Sequence, residues 1–446
     1  MISKNTIAFY GDDFTGSTDA LESLTLAGAN TRLFIDTPTE AMLAALPKLD
    51  AFGIAGKTRS LPPAAMEACL RPALLHLKSM GLRHIHYKVC STFDSSPQVG
   101  SIGKVMDIAQ DVFGPTSIPL LVAAPALGRY GLFGNLFAQM GIGSNGTIYR
   151  LDKHPSMKAH PVTPATESDL RLHLAKQTNQ AIGLINILDL ELADTGLEQR
   201  YQEELTQGAS VVLFDALYQK QLTKIGSLLE QLASAKGTLF SVGSSAIESA
   251  LGAAMAVQGK WTPKTEWPKP IAVEDLLVLS GSCSPVTDAQ IKWAADNGFE
   301  VLVFNAEEAV EYGMQAKSIQ AILEKASQAL TSKQSVVIHS NGSASQDTIN
   351  IPSDIIGSLL GQIGLRLQEK NGLKRMVLAG GDSSSHAART MGIQAVEMLT
   401  PIIAGAPLCT AFSSNPCMDG IEINFKGGQV GAANYFGLLR NGSLFN

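Results

Sequence analysis

The chain has 446 residues, of which 45% are hydrophobic, 17% are charged and 41 are glycine. This length exceeds what one hydrophobic core usually serves, and the composition is that of a compact enzyme rather than a disordered or fibrous chain. A formal net charge of −6 without a run of basic residues argues against nucleic acid as a partner and favours a small-molecule ligand.

The cysteines and the N-terminus indicate the compartment. The five cysteines are odd in number and never spaced as Cys-x-x-Cys, so neither a disulfide framework nor a zinc site is indicated. The N-terminus leads into a strand-like run without an apolar targeting segment, and no apolar stretch approaches the roughly 20 residues that span a bilayer. We therefore expect a cytoplasmic protein without a membrane partner.

Short apolar runs alternate with longer helical patterns along the whole chain, which is typical of βαβ units. Strands are predicted over 6–10, 31–35, 51–55, 84–88, 120–124, 211–214, 276–280, 300–304, 335–339 and 375–379. Helices are predicted over 15–27, 64–80, 287–297 and 383–391. The pattern predicts an α/β fold of two domains, each a largely parallel sheet with flanking helices, and an active site in the cleft between them.

A proline-rich stretch at 258–271 marks the predicted domain boundary. It contains Pro263, Pro268 and Pro270, and proline at that density continues neither a helix nor a central strand. We predict domains at 1–262 and 271–446.

The segment Gly11-Asp12-Asp13-Phe14-Thr15-Gly16 follows the first predicted strand and precedes a helix. One aspartate could bind sugar hydroxyls or accept a proton, while Thr15 and Gly16 open the helix towards an anionic group. The simpler interpretation makes Asp13 an N-cap. Two adjacent carboxylates exceed what a cap requires, so we favour a functional site. A phosphatase of the haloacid dehalogenase type is disfavoured, because adjacent residues on a strand point to opposite sides of the chain.

A second polar loop follows the strand at 84–88. Lys88 and Arg59 are cations that could bind the carboxylate of an acid substrate, and Ser91, Thr92 and Asp94 could bind its hydroxyls. The alternative is a serine-rich turn before a helix. Cys90, within this loop, and Cys283 are interpreted as small packing residues.

Glycine- and serine-rich loops follow the strands of the second half. Bare backbone and small hydroxyls at a helix N-terminus suit nucleotide phosphates, and an aspartate there could hold Mg²⁺ through water. The residues predicted to bind nucleotide are Ser280, Ser282, Ser284, Gly380, Gly381, Asp382, Ser383, Gly405 and Gly428, with Asp382 as the candidate metal ligand. A Walker-type loop and a Gly-x-Gly-x-x-Gly after the first strand are both absent from the sequence. His154 and His160, six residues apart across a proline, indicate a surface loop more than a metal pair.

These segments together resemble the four-carbon acid sugar kinase family. The resemblance is carried in order by Gly11 through Asp19, Lys57-Thr58-Arg59, Lys88 through Asp94, Ala124-Pro125-Ala126, His160 through Pro164, Ser280 through Ser284, Gly380 through Ser383, and Lys426-Gly427-Gly428. It implies an N-terminal domain that binds the acid sugar and a C-terminal domain that binds ATP. A tetronate, a 3-oxo-tetronate or a branched relative such as 3-oxo-isoapionate is the implied substrate, within carbohydrate catabolism.

Three positions depart from the family pattern. Cys90 through Ser95 stand where many members have Asp-Ser-Thr-Leu-Arg-Gly, so the arginine of that loop is missing. Ser383 replaces a threonine and keeps its hydroxyl, whereas Gly427 replaces a serine and removes one donor. The changed loop is similar to that of the subset associated with branched or oxidised acid sugars.

The expected mechanism follows from the resemblance. Mg²⁺-ATP binds the second-half loops, Arg59 and Lys88 bind the acid sugar, and Asp12 or Asp13 positions the attacking hydroxyl. A change of Asp13 to asparagine is then expected to lower turnover while leaving ATP affinity little changed. A homodimer is compatible with these expectations. The alternative is a non-catalytic sugar-acid binding protein or a secreted effector, which would not gain thermal stability from ATP.

Overall fold

The computed structural model describes residues 3–140, 146–160, 162–340 and 351–443. The chain divides into two compact units. The first comprises Met1–Thr31 and Thr37–Lys264, and the second comprises Arg32–Asp36 and Thr265–Asn446. A short segment of the N-terminal sequence is therefore part of the second unit.

The described residues form 18 strands. They are β1 (Ile7–Gly11), β2 (Thr31–Phe34), β3 (Ala51–Ala55), β4 (His84–Lys88), β5 (Ile118–Leu121), β6 (Arg129–Leu132), β7 (Asn135–Gln139), β8 (Ile148–Arg150), β9 (Ile182–Ile185), β10 (Val211–Phe214), β11 (Leu239–Gly243), β12 (Leu277–Ser280), β13 (Glu300–Phe304), β14 (Val336–Ser340), β15 (Arg375–Ala379), β16 (Ile393–Thr400), β17 (Leu408–Ser413) and β18 (Glu422–Lys426).

Fifteen α-helices are formed by the same described ranges. They are α1 (Phe14–Leu26), α2 (Glu40–Ala44), α3 (Pro63–Ser79), α4 (Ile102–Phe113), α5 (Pro155–Lys158), α6 (Leu170–Leu174), α7 (Asp194–Thr206), α8 (Gln219–Lys236), α9 (Ala246–Val257), α10 (Pro285–Asp296), α11 (Ala306–Tyr312), α12 (Lys317–Thr331), α13 (Ser353–Asn371), α14 (Gly381–Thr390) and α15 (Tyr435–Asn441). None of the helices in these ranges is long and apolar enough to cross a membrane.

The first unit contains a parallel sheet in the order β3-β1-β4-β11-β5-β10-β9. Every residue of β1, β3 and β4 is buried, as expected for strands that helices cover on both faces. A separate antiparallel sheet is formed by β6, β7 and β8. Because β3, β1 and β4 are parallel neighbours, the loops that follow them meet at one edge of the sheet.

The second unit contains parallel strands in the order β13-β14-β12-β15-β18, continued by antiparallel β17, β16 and β2. The N-terminal segment Arg32–Asp36 is fixed there by several contacts. Ile35 N–H donates to the Gln394 carbonyl at 2.9 Å, and Arg32 forms an ion pair with Glu397. Buried side chains of β12, β15 and α10, including Val278, Val377 and Ile291, form its core.

The expected α/β class is confirmed, and most predicted strands lie within one or two residues of the observed ones. The sequence missed β6 to β9, β11 and β16 to β18. The expectation of a surface loop for the two histidines was wrong for His154, which is only 6% exposed and accepts a hydrogen bond from Met157 N–H at 3.3 Å. His160 makes a similar bond to Thr163 N–H, so each imidazole stabilises a local turn.

Candidate active site

Three loops meet at the edge of the first unit where β3, β1 and β4 end. Gly11 lies opposite Ala55 on one side and Lys88 on the other. Beyond the strand, Asp12 N–H donates to the Lys88 carbonyl at 2.9 Å, and Arg59 N–H donates to the Asp12 carbonyl at 3.0 Å. The backbone itself therefore connects the loops that carry the predicted substrate residues.

Asp12 and Asp13 both contact the guanidinium of Arg59. Nε and Nη2 of Arg59 donate to the two oxygens of Asp12 at 3.1 and 2.7 Å, and Nη1 donates to Asp13 Oδ2 at 2.6 Å. The expectation that adjacent aspartates point to opposite sides was wrong here. The strand ends at Gly11 and the chain bends at the two aspartates, so strand alternation does not continue.

Asp13 is also the N-cap of α1, as the simpler interpretation of this residue predicts. Its Oδ1 accepts from Gly16 N–H at 2.7 Å, and its Oδ2 accepts from the Thr15 hydroxyl at 2.8 Å. A Cβ atom built on Gly16 would lie 2.5 Å from Asp13 Oδ1 and 3.3 Å from Lys88 Nζ. Only glycine allows the helix backbone to approach the charged groups this closely.

Burial and the opposite charge of the partner shift the pKa values of Asp12 and Arg59 in opposite directions. Burial raises the pKa of Asp12 above its ordinary value, and the charge of Arg59 only partly opposes that shift. Burial would lower the pKa of Arg59, but Asp12 and Asp13 together raise it well above the usual range. Asp12 is therefore a stronger base than a solvated aspartate, held beside a permanently charged guanidinium.

Lys88 is buried at 1% exposure and lies 3.2 Å from Asp19, a carboxylate on α1. Burial would lower the pKa of Lys88, but Asp19, Asp12 and Glu248 raise it. Glu248 forms a buried hydrogen bond with His86 through Oε1, and its Oε2 has no hydrogen-bond partner within the described ranges. Lys88 thus already has a carboxylate partner within the protein.

The loop after β4 places the remaining predicted substrate residues. The Cys90 thiol lies 2.9 Å from the Thr92 hydroxyl, which donates to Asp94 Oδ2 at 3.0 Å. Burial raises the pKa of Cys90 to about 11, so it is a thiol at neutral pH. Asp94 Oδ1 is buried without a hydrogen-bond partner within the described part of the chain, and the half-buried Ser91 hydroxyl makes no hydrogen bond there either.

The predicted phosphate loops follow β12, β15 and β18, which are parallel neighbours in the second unit. Ser284 caps α10 by accepting from Val286 N–H at 3.2 Å, and the Ser282 hydroxyl donates to Thr287 at 3.0 Å. Ser280 is fully buried at the end of β12. Two helix N-termini, of α10 and α14, therefore lie beside the same set of strand ends.

Gly380 and Gly428 mark where these loops come together. Gly380 has φ 125°, and a Cβ atom there would lie 2.4 Å from Ser383 Oγ and 3.2 Å from Ser282 N. A Cβ atom on Gly428 would lie 3.0 Å from Ser282 Oγ and 3.1 Å from Ser284 Cβ. The structure thus brings together Ser282, Ser284, Gly380, Ser383 and Gly428.

Lys426, at the end of β18, is the buried charge of this site. Its Nζ donates to the Thr287 hydroxyl and the Gly427 carbonyl, both at 2.9 Å, and to the Gly428 carbonyl at 3.4 Å. No carboxylate of the described residues forms an ion pair with it. Burial lowers the pKa of Lys426 to about 7. An ammonium in this environment is stabilised by any anion that enters the site.

Asp382, Gly381 and Gly405 lie around this centre. Asp382 is exposed in the first turn of α14, and no atom lies within 4 Å of the position of a Cβ on Gly381. One carboxylate next to a phosphate site fits Mg²⁺, which commonly takes one or two carboxylates together with phosphate oxygens. No cluster of three metal-ligating side chains occurs among the described residues. Gly405 precedes β17, whose register with β18 places its turn at the same sheet edge.

Several site residues were not predicted in their present roles. The sequence analysis named Asp19 and Lys426 only as members of longer motifs. It did not predict Thr287, Glu248 or Arg129 to be site residues. A lysine at the end of an apolar strand and before two glycines was a usable signal for Lys426. The expectation that Cys283 is a packing residue was wrong, because its side chain is exposed.

Family profiles and known proteins give a consistent comparison. Residues 7–251 match a sugar-binding N-terminal domain, and residues 277–436 match a nucleotide-binding C-terminal domain. The chain is 40% identical to the 3-oxo-isoapionate kinase of Paraburkholderia graminis, over 98% of this chain and 94% of that protein. It is 29% identical to the 3-oxo-tetronate kinase of Methylobacterium radiotolerans, over 96% of each.

A solved structure from Salmonella typhimurium LT2 has the same fold, with a TM-score of 0.75 and 25% identity over 97% of this chain and 98% of that one. The two family profiles match most of the chain, in the same order as the two compact units. The chain therefore belongs to the four-carbon acid sugar kinase family, whose members combine a sugar-binding N-terminal domain with a nucleotide-binding C-terminal domain.

Proposed function

We propose that this protein is an ATP-dependent kinase that phosphorylates a hydroxyl of a small acid sugar in carbohydrate catabolism. The observation that carries the proposal is the convergence of three glycine- and serine-rich loops around Lys426, within the unit that matches a nucleotide-binding domain. A branched acid such as 3-oxo-isoapionate is the proposed substrate, because the relative that acts on it shares 40% identity over nearly the whole chain.

The nucleotide phosphates are assigned to the loops of the second unit. Ser282, Ser284 and Gly428 surround one side of the site, and Gly380 through Ser383 form the N-terminus of α14 on the other. Helix N-termini and exposed amides attract phosphate, and the ammonium of Lys426 adds a full positive charge. Asp382 would hold Mg²⁺, which supplies charge neutralisation at the phosphates.

The acceptor hydroxyl is assigned to the aspartate cluster of the first unit. Asp13 accepts hydrogen bonds from Gly16, Thr15 and Arg59, so it holds both the helix and the guanidinium in position. Each oxygen of Asp12 accepts one hydrogen bond, in both cases from Arg59, and burial raises the pKa of Asp12, which favours it as a proton acceptor. We therefore assign contact with the attacking hydroxyl to Asp12 and positioning of the cluster to Asp13.

The chemistry requires little more than alignment. Phosphoryl transfer proceeds through a loose transition state in which the attacking oxygen, phosphorus and leaving oxygen lie roughly in line. The proton of the acceptor hydroxyl passes to Asp12 as the new P–O bond forms and the bond to the ADP oxygen breaks. The proposal therefore requires the acceptor hydroxyl and the γ-phosphate to be adjacent during transfer.

The test is ADP release with Mg²⁺-ATP against tetronates, 3-oxo-tetronates and branched acids including 3-oxo-isoapionate. We expect turnover of at least one acid, and kcat of Asp12→Asn to fall by about 10²- to 10⁴-fold with little change in the KM for ATP. Asp111→Asn is the matched control, because Asp111 is an exposed carboxylate that pairs with Arg71.

Two outcomes would count against the proposal. Absence of both turnover and an ATP-dependent thermal shift would favour a non-catalytic binding protein, because only a nucleotide binder gains stability from ATP. Turnover that survives Asp12→Asn unchanged would remove Asp12 from the reaction while leaving the kinase assignment intact.

A further inference from the structure

Three cations lie at or beyond the ends of β3, β4 and β5 in the sheet of the first unit, namely Arg59, Lys88 and Arg129, and Arg129 N–H donates to the Ala124 carbonyl at 3.1 Å beyond β5. Arg59 contacts two aspartates, and Lys88 forms an ion pair with Asp19. Arg129 forms no ion pair with any carboxylate in the ranges that the structure describes. If the ligand is anionic, the cation without a carboxylate partner is the one that gains most from binding it.

The hydrogen bonds of Arg129 leave one edge of its guanidinium vacant. Nη1 donates to the carbonyls of Leu127, Gly128 and Gln139 at 3.0, 3.3 and 3.3 Å, which anchors the group to the β6–β7 hairpin. Nε is buried and has no partner within the described residues, and Nη2 makes no hydrogen bond there. The Nε and Nη2 donors form the fork that binds a carboxylate through two parallel hydrogen bonds.

Asp94, on the loop after β4, is a second buried group with an unsatisfied polar atom. The carboxylate is close enough to act on the charge of Arg129, yet the two side chains form no ion pair. Asp94 Oδ2 accepts from Thr92, while Oδ1 is buried without a partner. A buried donor and a buried acceptor that do not meet each other are both satisfied by a ligand that carries a carboxylate next to a hydroxyl.

We infer that Arg129 binds the carboxylate of the acid sugar through its Nε and Nη2 donors, and that Asp94 accepts a hydrogen bond from a neighbouring hydroxyl. This inference rests on the proposed kinase function and assigns the other end of its substrate. Arg59 then acts within the protein by holding Asp12 and Asp13, and not as the main carboxylate contact.

The test compares an acid sugar with its carboxamide, which keeps the shape and removes the charge. The wild-type protein is expected to prefer the acid by about 10- to 100-fold in kcat/KM, and Arg129→Gln is expected to lose that preference. If the role of Arg129 were purely structural, Arg129→Gln would lower kcat/KM for both substrates by the same factor. Arg150→Gln is the control. Arg150 lies on β8 of the same small sheet, is half-exposed and pairs with Asp152.

Arg129→Lys is the second variant, because it keeps the charge but not the fork, and it serves if Arg129→Gln does not fold. An intermediate preference is expected from it. If Arg129→Gln, or Arg129→Lys in its place, turns over the acid with the wild-type preference, the inference is overturned and the kinase assignment stands. If the wild-type protein phosphorylates no acid and binds none in calorimetry, the proposed function and the inference fall together.

Discussion

The two candidate sites neutralise their buried cations in opposite ways. In the first unit, Arg59 and Lys88 lie against Asp12, Asp13 and Asp19. In the second unit, Lys426 lies against a hydroxyl and two backbone carbonyls. The aspartate cluster of the first unit is therefore balanced before a ligand arrives, whereas the second site is completed electrostatically by the ligand.

This difference matches the charge of the groups that the two clusters are proposed to hold. The acceptor hydroxyl of the acid sugar carries no charge and is best held by groups that already have fixed positions, whereas its carboxylate is assigned to Arg129 outside the aspartate cluster. A nucleotide brings several negative charges, and a desolvated ammonium gains more from such a ligand than a paired one does. Removing a charge should consequently affect stability in the first unit and nucleotide affinity in the second.

The largest expected effect is on stability, at Arg59. Arg59→Gln leaves Asp12 and Asp13 buried without their main counter-ion, which is expected to lower the free energy of unfolding by about 3–5 kcal/mol. Urea unfolding measures this change. Adding Asp12→Asn should restore part of the loss, because one uncompensated charge is then removed.

The control for this prediction is Arg71→Gln. Arg71 pairs with Glu67 and Asp111 at the surface, so its loss is expected to change the free energy of unfolding far less than the loss of Arg59 does. Equal losses of unfolding free energy for Arg59→Gln and Arg71→Gln would contradict the prediction that burial of the aspartate cluster makes its counter-ion essential for stability.

A smaller effect is expected on nucleotide affinity at Lys426. Lys426→Met keeps the length of the side chain and removes its charge, and it should weaken Mg²⁺-ATP binding by about 10- to 100-fold. Isothermal titration calorimetry measures the dissociation constant. Lys374→Met is the control, because Lys374 is a half-exposed lysine on the same unit. Unchanged affinity in Lys426→Met would contradict the contrast between the two sites.

The smallest expected effect is the pH dependence of nucleotide binding. The pKa of Lys426 near 7 lies below the ordinary value, so the nucleotide-free side chain loses its proton as pH rises through 7. Phosphates favour the charged form, so affinity for Mg²⁺-ATP should fall about tenfold between pH 6 and pH 8. Binding at pH 8 should also take up protons, seen as a dependence of the calorimetric heat on the ionisation enthalpy of the buffer.

The same titration of Lys426→Met isolates the contribution of this residue. Burial and the charge of Asp288 raise the pKa of the Cys283 thiol, and burial lowers the pKa of His339. Cys283 and His339 are present in both proteins. A pH dependence that persists unchanged in Lys426→Met would assign it to those groups or to the nucleotide.

Fold prediction succeeded where strands are buried on both faces. Ala51–Ala55 and Val211–Phe214 are apolar runs in the sequence, Arg375–Ala379 is apolar after its first residue, and all three are fully buried strands in the structure. The antiparallel strand Ile393–Thr400 alternates between buried and exposed residues and therefore resembles a loop when only apolar runs are counted. Leu239–Gly243 is fully buried, but its serine and glycine dilute the apolar signal.

Sequence reasoning singled out residues at strand ends but not the partners that they contact in the structure. Asp12, Asp13 and Arg59 were each singled out, because polar residues after parallel strands meet at one edge. Their mutual contact depends on how the chain bends after Gly11, which no spacing rule provides. Arg129 is the first residue of β6, in the separate antiparallel sheet, and its vacant fork is visible only when its hydrogen bonds are counted.

The strand β2 has a consequence for how this protein can be made and divided. The segment Arg32–Asp36 completes the sheet of the second unit by pairing with β16. A polypeptide that begins at Thr265 would therefore present β16 as an open edge, a ready template for aggregation. During synthesis the segment leaves the ribosome long before its partner strand exists, so the nucleotide-binding half cannot finish folding from its own residues alone.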